Sequence, residues 1–238
     1  MDELSSRFLA AFNEVEAWMR NELDAKDTQD FAQLLRRMGR KNREVNRCSS
    51  ELKRFARLRN LITHNYSLDK PLAIPSTYSV ERLENLAQLL PSPPLLLSFA
   101  ARPVEQCRST DPLGRCVKKM YAGSFSQLPI FDDGSYLGLL TTETIVRWLA
   151  TFLTGDGKGM VHEQTVAEVM THEEDREHVA FLRRTATVTQ GLATFDHFQS
   201  RGKRLDAILI TNQGVPTEPL LGIVTIYDIP RLTQASYG

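Results

Sequence analysis

Cysteine is scarce in this chain of 238 residues: Cys48, Cys107 and Cys116 are the only three. They are odd in number and widely spaced, with no Cys-x-x-Cys pair. That argues against a disulfide framework and a zinc site, and it fits a reducing, cytoplasmic location. Long apolar runs are missing too. Leu95-Leu96-Leu97 is typical of the longest, far short of the ~20 residues that span a bilayer. The N-terminus, Met1-Asp2-Glu3, is acidic and lacks a signal-peptide pattern. No membrane partner is expected. Net charge is zero, with 29 basic and 29 acidic residues.

The zero hides an asymmetry. Residues 36–59 hold ten basic side chains, from Arg36 to Arg59, against two acidic ones, Glu44 and Glu51. Such a stripe suits an RNA phosphate backbone. A solvated helix face is the other meaning of a charge run. Aromatic residues are barely interleaved with it, so base stacking is not indicated.

Apolar residues repeat at helical spacing through the first ninety residues. Leu4, Phe8, Phe12, Val15 and Met19 mark one amphipathic helix. Phe31, Leu34, Leu35 and Met38 mark a second. A third starts near Arg43 and carries Val45, Cys48, Leu52, Phe55, Leu58 and Ile62. A fourth carries Val80, Leu83, Leu86 and Leu90, capped by Ser76 or Ser79. Pro91-Ser92-Pro93-Pro94 reads as a stiff linker. The expected domains are 1–90, the linker 91–94, and 95–238.

At the end of the third helix stands Arg59-Asn60-Leu61-Ile62-Thr63-His64-Asn65-Tyr66. Asn60 and His64 are four apart and share a helix face. An imidazole can move a proton near neutral pH, and a guanidinium can hold a phosphate. A histidine in the last helical turn can also simply bind the final carbonyls. The octapeptide resembles the signature of the HEPN superfamily, in its Arg-x4-His-x-Tyr form. That resemblance implies a four-helix bundle that dimerises and, in active members, a metal-independent ribonuclease. It would make His64 the acid/base, Arg59 the phosphate ligand and Asn60 its support. Tyr66 matches a position that the related toxins have modified by adenylylation. Arg59 is expected to be exposed, so that its loss spares the fold.

After residue 94 one pattern occurs twice, with repeats at about 95–155 and 165–236. The first has Gln127 to Asp132, a turn at Asp133-Gly134, then Leu137-Gly138-Leu139-Leu140-Thr141 and a helix. The second has Asp206 to Ile210, a longer loop, then Leu221-Gly222-Ile223-Val224-Thr225. Gly138 and Gly222 are 84 residues apart. Each copy also has a preceding helix. Ser109-Thr110-Asp111-Pro112 offers a cap for the first and Thr189 for the second.

The unit of strand, helix, hairpin and helix, used twice, resembles a tandem pair of CBS domains. The resemblance implies two βαββα repeats, no catalysis in them, and an adenine nucleotide (AMP, ADP or ATP) as regulatory ligand. It carries the family's Gly-h-h-Thr/Ser-x-x-Asp contacts onto Gly222, Thr225 and Asp228. In the first repeat Gly138 and Thr141 are present, but Thr144 stands where the aspartate should be. A carboxylate can accept both ribose hydroxyl protons, while a hydroxyl and helix-start amides meet phosphate. Thr225 and Asp228 at a strand–helix junction are equally ordinary capping residues. The histidines and acids between His162 and His178 read as an exposed loop without a metal or a role.

The expected protein is α+β: a HEPN-like four-helix bundle followed by a CBS pair. Its expected function is nucleotide sensing that regulates the bundle, with RNA cleavage as the output and a homodimer as the working form. The alternative is a non-catalytic regulator whose bundle mediates dimerisation or docking.

Overall fold

The computed structural model describes residues 2–63, 66–67, 70–154, 164–174 and 178–237. They divide into two compact units, residues 1–94 with 233–238, and residues 95–232.

The first unit is helical. α1 (Glu3–Glu22) is capped by Asp2, whose carboxylate accepts from the Ser5 amide. α2 (Phe31–Lys41) is capped in the same way by Asp30. α3 (Arg43–Thr63) starts where Asn42 Oδ1 accepts from the amides of Glu44 and Val45. β1 (Tyr66–Ser67) and β2 (Lys70–Pro71) form a minimal antiparallel ladder that the sequence does not signal. α4 (Thr77–Leu89) is capped by Ser76, one of the two serines expected. Each helix turns its apolar stripe inward. Phe8, Phe12, Leu34, Leu52, Ile62 and Leu83 are fully buried in one core. An Arg7–Glu84 fork at 2.9 and 2.8 Å ties α1 to α4.

The second unit holds two small sheets. α5 (Leu113–Gly123) precedes the hairpin of β3 (Gln127–Asp132) and β4 (Ser135–Thr141), and α6 (Thr142–Thr154) follows it. The turn lies where expected. Asp133 and Gly134 both have positive φ, 48° and 80°, as a two-residue hairpin with right-handed strand twist demands. The first strand of this repeat is reduced to Cys107, bridged in parallel to Ile130. All three cysteines are free, as expected. In the second repeat the strand is complete. After α7 (Val166–Met170), β5 (Val179–Arg183) pairs parallel to β6 (Ala207–Thr211), which pairs antiparallel to β7 (Gly222–Thr225). α8 (Val188–Ser200) crosses from β5 to β6, and α9 (Ile229–Tyr237) follows β7.

Two of the expected caps are different. α8 is capped by Thr187, not Thr189; Thr187 and Gln190 exchange bonds in a capping box. Gln190 must lie three residues past the cap to reach back, which selects Thr187. α5 has no side-chain cap, and Pro112 occupies that position. Ser109 instead donates to Asp132 at the hairpin.

The two repeats exchange their leading segments. Leu96 is fully buried in the core of the second repeat, against Val188 and Phe195. Its amide bonds to Ala186 O at 2.8 Å. In return Val166 and Val169 of α7 are fully buried in the core of the first repeat, with Leu113 and Trp148. The Val166 amide bonds to Asp111 O at 3.0 Å. Matching bridges join Leu95 to Thr187 and Pro112 to Thr165. Each repeat therefore completes the other.

Candidate functional site

Strand β7 ends at Thr225, and a single tight turn leads into α9. The turn folds Asp228 back on the strand end. Its Oδ2 accepts from the Thr225 amide at 2.7 Å and from Thr225 Oγ1 at 3.3 Å. Arg231, one turn on, donates to Asp228 Oδ1 at 2.7 Å and to Phe99 O. The pair is thus a helix start, as the capping reading has it, and still half open. The Asp228 side chain is 20% exposed and lines a cleft. Gly222 is required by close approach. A Cβ there would lie 2.7 Å from Ala100 Cβ and 3.0 Å from Leu97 Cδ1.

That cleft encloses about 210 Å³. Its walls are largely apolar: Ala101, Pro103, Val104, Phe125, Leu128, Pro129 and Ile223. Its polar lining includes Thr225, Asp228, Glu105, Ser126 and Gln127. An aromatic ring fits the first surface, and vicinal hydroxyls fit the second.

The first repeat builds the corresponding corner differently. Thr141 Oγ1 and Thr144 Oγ1 lie 3.0 Å apart, and Thr144 is buried with no carboxylate to offer. The cleft beside them, about 250 Å³, is crossed by ion pairs. Arg147 reaches Glu143 at 3.2 Å and Glu174. Arg204 reaches Glu143 at 3.0 Å and Asp206 at 2.5 Å. His178 lies 3.2 Å from Glu173 and 3.9 Å from Asp206. Glu173 and His178, assigned no role from the sequence, are therefore cleft residues. So are Arg147 and Arg204. The 84-residue repeat spacing carries Arg231 onto Arg147 and could have found that one. A smaller cleft of about 70 Å³ joins the two, sharing Thr225 and Tyr227 with one and Thr141 and Asp206 with the other.

In the helical unit the expected catalytic stretch is only partly visible. His64 lies outside the described residues, as does the side chain of Tyr66. Asn60 is exposed. Arg59 departs from expectation: its side chain is 25% exposed, with Nη2 3.7 Å from Glu16 Oε2 and the guanidinium 5.0 Å from the Phe12 ring centre. Helix α3 faces α1 at this level, so the arginine lies against its neighbour rather than in solvent. Of the ten basic residues from Arg36 to Arg59, all but Arg37 and Arg59 are exposed.

No group of three or more metal-ligating side chains occurs among the described residues. No described helix is long and apolar enough to cross a membrane.

Residues 98–151 match the family model of the CBS domain. No curated protein matches the chain. Among solved structures, the CBS-domain protein ATU1752 from Agrobacterium tumefaciens is 19% identical, with a TM-score of 0.42, over 58% of this chain and 94% of that one. The CBS pair of MJ0100, in complex with 5′-methylthioadenosine and S-adenosyl-L-methionine, is 19% identical, with a TM-score of 0.43, over 60% and 97%. CBSX2, in complex with AMP, is 10% identical, with a TM-score of 0.43, over 59% and 96%.

Proposed function

We propose that residues 95–232 form a regulatory CBS pair that binds an adenosine-containing ligand at the Thr225–Asp228 corner. The carrying observation is the cleft in which the Asp228 carboxylate, held by the Thr225 amide and Arg231, lines a largely apolar slot. The purine lies between the apolar walls. The ribose hydroxyls donate to Asp228. The first-repeat corner, with Thr144 in the carboxylate position, does not bind in this way.

Calorimetry with adenosine, AMP and ATP tests this reading. Asp228→Ala should weaken binding by at least about tenfold, the worth of one hydrogen bond to a charged group, and Thr144→Ala should change it little. The opposite ranking would sink the assignment. At a ligand concentration of 100 times the dissociation constant the fold should gain about 2.7 kcal/mol, visible as a melting shift.

The helical unit is the output of that sensor. The contacts of Arg59 with Glu16 and Phe12 favour the non-catalytic form, in which the bundle docks a partner or a second copy of this chain. The HEPN-type ribonuclease form requires His64 to move protons and Arg59 to hold the phosphate. Single-stranded RNA incubated with the protein in EDTA, with and without ligand, separates the two. Cleavage to 2′,3′-cyclic phosphate ends that His64→Ala abolishes supports the nuclease. Light scattering checks the homodimer that the nuclease form requires.

A further inference from the structure

The charge in the groove selects among adenosine derivatives. Among the described residues, the Thr225–Asp228 cleft is lined by two carboxylates, Asp228 and Glu105, and by no basic side chain. Two cations beside it are engaged with its carboxylates. Arg231 holds Asp228 and Phe99 O, and Lys119 holds Glu105 at 2.9 Å. Arg102 neighbours the lining residues Ala101 and Pro103 but does not line the cleft.

The groove continues through the joining cleft into the first-repeat corner, where the described lining is again acidic on balance. Among the described residues, six carboxylates face two arginines and one histidine over the three clefts. Both arginines, Arg147 and Arg204, already pair with two carboxylates each. A ribose held at Asp228 points its 5′ substituent along or out of a groove whose described residues offer no free guanidinium or ammonium. A phosphate there meets like charge in a partly water-excluded space. It also lacks the bidentate arginine that phosphate sites use. A protonated amine or a sulfonium meets the reverse.

We infer that the ligand is an adenosine derivative without phosphate, neutral or cationic at its 5′ position, and not AMP, ADP or ATP. This rests on the proposed adenosine-binding reading and narrows it to one charge class.

A ligand series that differs only at the 5′ position tests it: 5′-amino-5′-deoxyadenosine, adenosine, AMP and ATP, each titrated into the full-length protein at low ionic strength. Affinity should fall in that order, with AMP about tenfold or more weaker than adenosine. Added salt should narrow the gap between adenosine and AMP. Glu105→Gln removes one cleft carboxylate and releases Lys119. It should bring AMP several-fold closer to adenosine. AMP or ATP binding as tightly as adenosine would overturn the charge selection and leave the adenosine site standing. So would a gap that neither salt nor Glu105→Gln changes. Failure of all four ligands to bind would overturn the adenosine site itself, and the selection with it.

Discussion

Two glycines in equivalent positions have unequal freedom. At Gly222 an added Cβ meets Ala100 Cβ and Leu97 Cδ1, at 2.7 and 3.0 Å. At Gly138 it meets Met170 Cε at 3.0 Å, the far end of a flexible side chain, and Ile130 Cδ1 at an ordinary 3.7 Å. Gly222→Ala should therefore destabilise the fold by about 1–3 kcal/mol, as overpacking does, and Gly138→Ala by less. Denaturant unfolding of both variants compares them; equal losses would mean the two corners pack alike. Arg59 also changes its meaning on contact with the fold. Its pairing with Glu16 and its place over Phe12 predict a loss of about 1 kcal/mol for Arg59→Ala, not none. What was legible at this scale is what local chemistry determines: the positive-φ turn at Asp133-Gly134, and the short-range pair Thr225 and Asp228. Arg204 and His178 were illegible, because Glu143 and Asp206, distant from them in sequence, reach them only through tertiary packing.

Among the elements, helix starts are the sharpest test. Thr187→Ala removes the cap of α8 and should lose about 1 kcal/mol. Thr189→Ala, inside the helix, should lose less; a thermal melt ranks them. The α1–α4 fork gives a pH signature. Hydrogen bonding from Arg7 holds the Glu84 carboxyl below its ordinary value. A group depressed in the folded state contributes stability above its unfolded value and loses it as pH falls through the folded value. The destabilisation caused by Glu84→Gln should thus be present at neutral pH and fade in acid, below the ordinary carboxylate range; urea midpoints across pH check it. Helix boundaries were readable because the apolar spacing and the caps agree, as at Arg43 and Ser76. The strand at Cys107 shrank to one bridge. The ladder at Tyr66–Pro71 came unannounced, because pairs this short carry no period.

For the whole molecule, the exchange of leading segments sets the stability. Leu96→Ala opens a cavity in a repeat to which it does not belong by sequence, and should destabilise the fold by about 2–5 kcal/mol. Neither repeat is therefore a cassette. A gene cut between residues 154 and 164 yields two fragments, each carrying the other's missing piece. Made separately, the repeat in each should stay unfolded or borrow the piece from a second copy of itself. Made together, they should clasp into one unit, which co-purification through a tag on either half would report. A shuffled gene could inherit these two repeats only as a pair.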